Sequence, residues 1–581
     1  MADNEDTDDS RRLALDETLI VFTNNASSGH KLFVWKQFTQ CFKCPLVFWE
    51  QLEPKETKPL KVTTNYELRI AITDQRPNDI NYWTLSEESV FCQNSYSLLD
   101  QSKHVFTING GNDYKCQIQE TESGRNNIWP IVGAVLIYVI AAVLFYGGRR
   151  LFYRWRERQA AALAVSSPNE SPIVEMRTEQ KDDKRRKRLK SLDCFRGITI
   201  LMMIFVNLGA GNYENLDHAA WDGFNFADII FPWFIFIMGT TMAISFKSIV
   251  IRQKQTVSKI YYNIVKRSFN LFVIGLMLNS KGSADFRTLR IPGVLQRFGI
   301  TYLVVGSSHV LSLLVHKGEL FGALRIHQLV DIIPFWPEWI VMSLMAVLHF
   351  ALTFGWQFSP ICPQGYIGPG GLYDNMTHVH CTGGVAAYID KWVLGDKHIY
   401  GHFTGDRLYD PNHEFSLRHD PEGILGTTTS IILTFLGLQI GKILIAYPNP
   451  KQRISRWLVW GLLLGSLSAL FAATETIPIN KNLWSFSFIC LTSSAACFAI
   501  SLLYYLIDVL QIWPNGQPFH YPGMNSILLY IGHEITADMI PWSFNVDESS
   551  HVGPLARNLV AVTVWFVISV VLAEKGFFLT I

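Results

Sequence analysis

Charged residues are scarce in this chain, and several familiar motifs are missing from it. Only 17% of its 581 residues are Asp, Glu, Lys or Arg, whereas a soluble protein carries about 25%. The net charge of +1 leaves no basic excess for a nucleic-acid partner. Walker, GxGxxG, HExxH and GxSxG patterns do not occur in a supporting context. His378 and His380 form an HVH that is typical of a polar loop surface, so the sequence predicts no metal site.

Long hydrophobic runs are what the chain has instead. Hydrophobic residues make up 49% of it, and its mean hydropathy is +0.16. At about 20 residues per span, the sequence predicts a polytopic α-helical membrane protein with about eleven transmembrane helices embedded in membrane lipid. The predicted spans are 128–148, 194–212, 225–248, 268–282, 291–315, 334–355, 423–446, 456–473, 484–507, 519–541 and 556–575.

Lys and Arg in the short connections set the predicted orientation, because such residues concentrate on the cytosolic side. They are dense between the first two spans, and alternate counting then leaves the N-terminal region, the turn with His218 and the loop 356–422 on the luminal side. The predicted organisation is an acidic N-terminal tail (1–16), a luminal β domain (17–126), a first transmembrane helix (127–148), a cytosolic basic linker (149–190) and a ten-helix transmembrane domain (191–581).

The N-terminal region carries β and luminal signals. Stretches such as KLFVWKQF and LKVTTNYELRIAI between turn residues predict a small β-sandwich over 17–126. Six of the nine cysteines and the sequons at Asn25 and Asn375 fall on the predicted luminal side, which favours disulfides there. Their pairing stays open, including a bridge from the β domain to the loop 356–422. The acidic start has no apolar h-region, so either the first span translocates this domain or a leader is missing.

Ionisable and polar residues cluster in and beside the second and third spans. Each such group costs about 2.5–3.5 kcal/mol within a membrane, so these groups usually mark a path or a site. The sequence therefore predicts chemistry at a membrane face. The residues concerned are Asp193, Arg196, Asn207, Asp217, His218, Trp221, Asp222 and Asp228.

Several motifs occur in one order between residues 188 and 581: SLDCFRG, FVNLGAG, HAAWDG, ADIIFPWFIFIMG, RIPGVLQRFG and NSILLYIGHE. With these motifs the chain resembles the heparan-α-glucosaminide N-acetyltransferase family. The resemblance implies a multi-pass enzyme of the lysosomal membrane, forming a homodimer. It implies transfer of acetyl from cytosolic acetyl-CoA to the amino group of terminal glucosamine on heparan sulfate in the lumen. Through HAAWDG, it implies that His218 is the active histidine.

The residues around His218 suit acetyl transfer to an amine. A histidine near neutral pKa can remove the ammonium proton or hold the acetyl group, and the sequence does not separate these two routes. Asn207 is a candidate to hold the thioester carbonyl or the oxyanion, and Asp228 to orient the imidazole. The simpler alternatives are an interfacial histidine, an interhelical hydrogen bond for Asn207 and a helix N-terminal charge for Asp228. His533 is a rival base, and Asp217 and Asp222 are alternative partners for His218.

The phosphates of coenzyme A require Arg, Lys or helix N-termini. Candidate residues for binding acetyl-CoA are Arg196, Lys266, Arg267, Gln296, Arg297, Asn525 and Ser526. The positive-inside rule alone also explains basic residues at the cytosolic face. Arg297 lies within a predicted span, where its alternative is an ion pair with Asp193 or Glu534.

Two other functions compete with this interpretation. Polar helices near a membrane face are also typical of a transporter, although no inverted repeat is evident. An acyltransferase with a different acceptor remains a further alternative.

Overall fold

The computed structural model describes residues 13–26, 31–74, 90–110, 114–166, 189–249, 256–282, 285–315, 329–415 and 417–579. The predictions for most of the acidic tail, and for the charged part of the cytosolic linker (167–188), fall outside these residues.

The N-terminal β region that the sequence predicts is present and consists of two four-stranded sheets. One sheet has the order β4-β1-β7-β8, in which β1 and β7 run parallel, and the other is an antiparallel sheet of order β3-β2-β5-β6. Burial alternates along β7, because successive side chains of a strand point to opposite faces. The strands are β1 (Glu17–Ala26), β2 (Leu32–Phe38), β3 (Val47–Leu52), β4 (Thr57–Thr63), β5 (Leu68–Thr73), β6 (Val90–Tyr96), β7 (Lys103–Gly110) and β8 (Lys115–Glu122).

The rest of the described chain is mainly helical. The helices are α1 (Ile128–Ser166), α2 (Lys190–Asn207), α3 (Ile230–Lys247), α4 (Val257–Asn279), α5 (Val294–Val315), α6 (Trp336–Gly355), α7 (Gly384–Leu394), α8 (Asp406–Tyr409), α9 (Ile424–Ala446), α10 (Pro450–Ala473), α11 (Phe486–Tyr504), α12 (His520–Met524), α13 (Ser526–Thr536) and α14 (Val552–Glu574).

Six of the described helical segments are long and apolar enough to cross a membrane, which makes this a multi-pass membrane protein. These six include α3, α6, α9, α10, α11 and α14. The predicted count of about eleven spans is not confirmed. Polar residues explain why two of the predicted spans are not among these six. Helix α2 carries three charged residues, and the tenth predicted span is broken between α12 and α13.

Close helix contacts bring the site elements together. Helices α3 and α9 touch at glycines on both sides: a Cβ added to Gly239 would meet the Thr434 carbonyl oxygen, and one added to Gly437 would meet the Phe236 carbonyl oxygen. Helix α2 approaches α12 in the same way, through Gly197 and Gly523. Small residues allow such backbone approach in membrane helices.

The predicted luminal cysteines do form disulfides, and none of these disulfides joins the β region to the long loop. The three bridges are Cys41–Cys44, Cys92–Cys116 and Cys362–Cys381. The remaining cysteines, Cys194, Cys490 and Cys497, are free and buried in helices. The β region instead meets the rest of the molecule through packing. One hydrophobic cluster joins strand residues with Trp221 and with residues of the loop 356–422.

Candidate active site

The chain breaks sharply after α2, and this break forms the turn that carries His218. Four successive residues from Gly209 to Asn212 have positive φ values, between 50° and 104°. Two of them are glycines, which adopt this conformation at no steric cost. The Asp217 carboxylate then accepts a hydrogen bond from the backbone N–H of His218 at 2.7 Å. The turn ends where Phe226–Ile229 leads into α3.

The central contact of this site joins His218 to Asp228. The imidazole Nδ1 lies 2.8 Å from Asp228 Oδ1. The Asp228 side chain is fully buried, while 29% of the His218 side chain remains exposed. The second carboxylate oxygen accepts the backbone N–H groups of Ala219 at 3.2 Å and Asn225 at 2.9 Å. Asp228 is therefore locked in place by three donors, as part of a capping box at the start of its helix.

This contact determines which nitrogen of His218 is free. An ionised carboxylate only accepts hydrogen bonds, so the hydrogen-bond network assigns the proton of the neutral ring to Nδ1. The Nε2 lone pair is then available to take a proton or to attack a carbonyl carbon. A buried carboxylate that holds an imidazole in one tautomer is the arrangement of histidine-based acyl transfer.

Two separate segments of the chain hold the HAAWDG motif in place. The buried Trp221 donates its indole N–H to the Ile367 carbonyl of the long loop at 3.0 Å. On the other side, Asn480 Nδ2 donates to Asp222 Oδ1 at 3.0 Å, and Gly223 N donates to the Ile479 carbonyl at 2.9 Å. The first segment lies in the loop 356–422, and the second lies in the loop between α10 and α11, which we call the 474–485 loop.

Asn207 lies at the end of α2 and faces α13. Its side-chain amide donates to His533 Nε2 at 3.0 Å and to Glu534 Oε1 at 2.9 Å. The other ring nitrogen of His533 contacts the Leu529 carbonyl at 3.0 Å. Both nitrogens of His533 are thus occupied, which favours the packing role over its alternative role as a base. The catalytic role of Asn207 stays a prediction.

The candidate residues for acetyl-CoA do not share one environment. Arg196 donates to the Gly523 carbonyl at 3.2 Å and lies 3.5 Å from Asp193. Lys266 is exposed, whereas Arg267 lies over the ring of Tyr302 at 4.6 Å.

Arg297 and Gln296 are buried at the start of α5. Arg297 is 1% exposed and donates through one nitrogen to the Pro421 and Gly423 carbonyls, at 3.0 and 3.1 Å. Its guanidinium lies 4.5 Å from the centre of the Trp484 ring. These contacts replace the ion pairs with Asp193 or Glu534 that the sequence left open. Gln296 donates to the Ile291 carbonyl at 3.0 Å.

Asn525 and Ser526 lie at the junction of α12 and α13. The Asn525 side chain donates to the Phe577 carbonyl at 2.8 Å and accepts from Leu579 N at 3.1 Å. It therefore fastens the C-terminal segment to this junction. Ser526 begins α13. Binding of acetyl-CoA by these two residues stays a prediction.

Sequence reasoning missed a group of charged residues that surrounds the start of α9. Arg290 pairs with Asp420, at 2.6 Å, and also with Glu422. Burial acts to raise the pKa of Glu422, but Arg290 and Lys481 hold it below its usual range. The acidic HDPEG stretch directly before a predicted span was the signal that marked this group, because carboxylates at a membrane boundary need partners.

Fold and site together define a multi-pass membrane protein with an imidazole–carboxylate pair where its apolar helices end. The family described as "Heparan-alpha-glucosaminide N-acetyltransferase, catalytic" matches residues 188–356, which include Asn207, His218 and Asp228. Heparan-alpha-glucosaminide N-acetyltransferase of Mus musculus is 33% identical over 605 residues, covering 99% of this chain and 90% of that protein. The Homo sapiens protein of the same name is 35% identical over 615 residues, covering 97% and 88%. The chain belongs to the heparan-alpha-glucosaminide N-acetyltransferase family.

Proposed function

We propose that this protein transfers acetyl from acetyl-CoA to the amino group of terminal glucosamine on heparan sulfate. The single observation that carries the proposal is the His218–Asp228 pair, with Nδ1 and Oδ1 2.8 Å apart and with no hydrogen bond from the described residues to Nε2. Membership of the family supports the choice of donor and acceptor. We extend the proposal to a place in the lysosomal membrane and to a homodimer.

Two reaction routes fit the chemistry assigned to His218, and each conserves atoms, protons and charge. In the first, Nε2 takes a proton from the glucosamine ammonium and the free amine attacks the thioester carbonyl. The C–S bond then breaks, and a second proton of the amine goes to the sulfur, so that CoA leaves as the thiol. In the second, Nε2 attacks the thioester, the C–S bond breaks, and CoA leaves as a thiolate that takes a proton from water. The glucosamine ammonium loses a proton to solvent, the free amine attacks the acetyl-imidazole, and the bond from acetyl to Nε2 breaks as Nε2 takes the remaining amine proton. In both routes, Asp228 stabilises the imidazolium and holds the ring in orientation.

Arg297 is the proposed acetyl-CoA residue whose side chain is best suited to receive a ligand. Its Nε and Nη1 are buried and have no hydrogen-bond partner within the described part of the chain. Donors left unsatisfied in this way cost about 1–3 kcal/mol each, so a bound acceptor group is favoured there. Arg196, Lys266 and Arg267 are proposed to bind phosphates, with Gln296, Asn525 and Ser526 completing the set. Asn207 is proposed to donate to the carbonyl oxygen as negative charge develops on it, in exchange for one of its present contacts with His533 and Glu534.

The test uses the full-length protein in sealed liposomes, with glucosamine trapped inside and radiolabelled acetyl-CoA added outside. Labelled N-acetylglucosamine in the interior supports transmembrane acetyl transfer. A matched set containing N-acetylglucosamine as the trapped sugar controls for leakage and for transfer to lipid. Unmodified glucosamine, or intact acetyl-CoA recovered inside, contradicts the proposal, and the second result indicates a transporter.

A further inference from the structure

Lys481 is the one residue of the 474–485 loop that carries a positive charge. Its neighbours on both sides are fixed: Asn480 donates to Asp222, and Asn482 Nδ2 donates to the Ala220 carbonyl at 3.3 Å. A hydrogen bond of 3.0 Å from Trp484 N to the Lys481 carbonyl closes the turn. The backbone of Lys481 is therefore clamped against the HAAWDG motif and adjoins the segment that carries His218.

Lys481 interacts electrostatically with charged residues of the candidate active site. Burial lowers its pKa below the usual range, against the opposing effect of the Asp228, Glu422 and Asp217 carboxylates. Asp228 binds His218 Nδ1, and Asp217 accepts the His218 backbone N–H. Two of the three carboxylates that act on Lys481, those of Asp228 and Asp217, therefore contact His218 directly.

Within the described part of the chain, Lys481 forms no direct hydrogen bond or ion pair with any of these carboxylates. Within the described residues, no side-chain oxygen forms a hydrogen bond or an ion pair of 4.0 Å or less with its Nζ. Glu422 is bound by Arg290, and Asp228 by His218 and two backbone N–H groups. Holding a lysine half-buried without such a partner costs free energy, so a group of this kind in a site is a candidate for ligand binding.

The proposed acceptor supplies the missing partner. A terminal glucosamine of heparan sulfate presents a cationic amine together with nearby anions, since its chain contains uronate carboxylates and sulfates. The amine of the acceptor reacts at His218. The anionic group of the same acceptor then needs a cation of the protein beside His218. Arg290 is bound by carboxylates. Arg297 donates to two backbone carbonyls through one nitrogen, and its other nitrogens are assigned to acetyl-CoA in the proposed function. Lys481 is the cation that the described site leaves available.

We propose that Lys481 determines acceptor specificity by binding an anionic group, carboxylate or sulfate, of the saccharide whose terminal amine lies at His218. This inference rests on the proposed function. Lys481 is a binding residue and takes no part in bond making or breaking. It confers a preference for acidic saccharides over free glucosamine, because a charge-assisted hydrogen bond forms only with the acidic acceptor.

The test measures kcat and KM of full-length protein in liposomes for matched acceptors. One pair is a glucosaminyl-uronate disaccharide and its carboxyl-reduced counterpart, and the other is glucosamine 6-sulfate and glucosamine. For Lys481→Met, we expect KM to rise at least about tenfold for the carboxylate or the sulfate acceptor, and by less than about twofold for both neutral acceptors. The pair that responds identifies the anion. Lys481→Arg should restore most of the preference, and the exposed Lys397→Met serves as the control for a lost luminal charge.

Two outcomes overturn the inference. One is an equal loss for acidic and neutral acceptors, which indicates that Lys481 supports His218 or the fold. The other is an unchanged preference in Lys481→Met. If Lys481→Met does not fold, Lys481→Gln is measured with the same acceptors, because it keeps a polar side chain of similar length. Wild-type protein that acetylates no acceptor contradicts the proposed function itself, so the two failures are distinguishable.

Discussion

Replacing Asp228 by Asn tests how the buried carboxylate works. The substitution keeps the size of the side chain, and the remaining amide oxygen can still accept the backbone N–H groups of Ala219 and Asn225, now 3.2 and 2.9 Å from Oδ2. The amide NH₂ then faces His218 Nδ1 in place of Oδ1, which lies there at 2.8 Å. Because an NH₂ group only donates, Nδ1 must become the acceptor, and the ring proton moves to Nε2.

The consequence is a histidine whose reactive nitrogen is already protonated. A correctly placed base contributes about 10²–10⁴-fold to a rate, and loss of the orienting carboxylate in an analogous triad costs about 10⁴-fold. We therefore expect kcat of Asp228→Asn to fall about 10²–10⁴-fold, while KM for both substrates changes little. The loss of one charge-assisted contact should lower the free energy of unfolding by about 1–3 kcal/mol.

The assay is steady-state acetylation of glucosamine with radiolabelled acetyl-CoA, run beside thermal unfolding in the same detergent. Glu214→Gln is the control, because it neutralises a carboxylate of the same turn that contacts Tyr66 instead of His218. If Asp228→Asn keeps kcat within about threefold of wild type while folded, the tautomer argument is refuted. A large rise in KM with kcat unchanged would likewise assign Asp228 to binding alone.

Three further predictions follow from individual contacts. Asn207→Ala removes a candidate donor to the reacting carbonyl and should lower kcat about 10²-fold; a change in unfolding temperature alone would leave Asn207 as packing between α2 and α13. Burial raises the pKa of Asp390 from 3.8 to about 7, so the stabilisation linked to its neutral carboxyl is complete below about pH 4 and is lost as pH rises to about 7. Asp390→Asn should therefore match wild type near pH 4 and unfold at a temperature at least about 2–4 °C higher at pH 8. Burial alone would lower the pKa of His551, but hydrogen bonds to Asp16 and Gly211 outweigh this effect and raise the pKa above its usual value. The protonated ring therefore stabilises the folded protein fully below about pH 6.5, and this stabilisation is lost as pH rises through the raised pKa. His551→Gln should therefore unfold at a lower temperature than wild type at pH 5 and at nearly the same temperature at pH 8, and an equal deficit at both pH values would contradict this.

The parts of the fold that a continuous stretch of sequence encodes, by its hydropathy or its strand pattern, were predictable. Segments such as 423–446 and 225–248 are mainly apolar, and both are largely helical within those bounds. The span count failed where polar residues interrupt the pattern. Asn525 lies between α12 and α13 and binds the backbone of Phe577 and Leu579, a contact that no local pattern indicates.

The site was predictable in part for the same reason. His218 and Asp228 lie ten positions apart within one motif-rich turn, and the structure places them in contact. Their catalytic roles stay predictions. Lys481 and Glu422 were missed because they lie in loops far along the chain, and only the folded helices bring them to the start of α3 and α9. Single charged residues in such loops resemble ordinary surface charges until their partners are known.

The most direct test of the proposed role of His218 is acetyl transfer by wild type, His218→Ala and His380→Ala in liposomes that contain glucosamine. His380 is an exposed histidine of the long loop and controls for the loss of an imidazole. We predict that His218→Ala loses about 10²–10⁴-fold in kcat while remaining folded, and that His380→Ala keeps wild-type activity. Full activity in folded His218→Ala would contradict the central claim that His218 carries the chemistry.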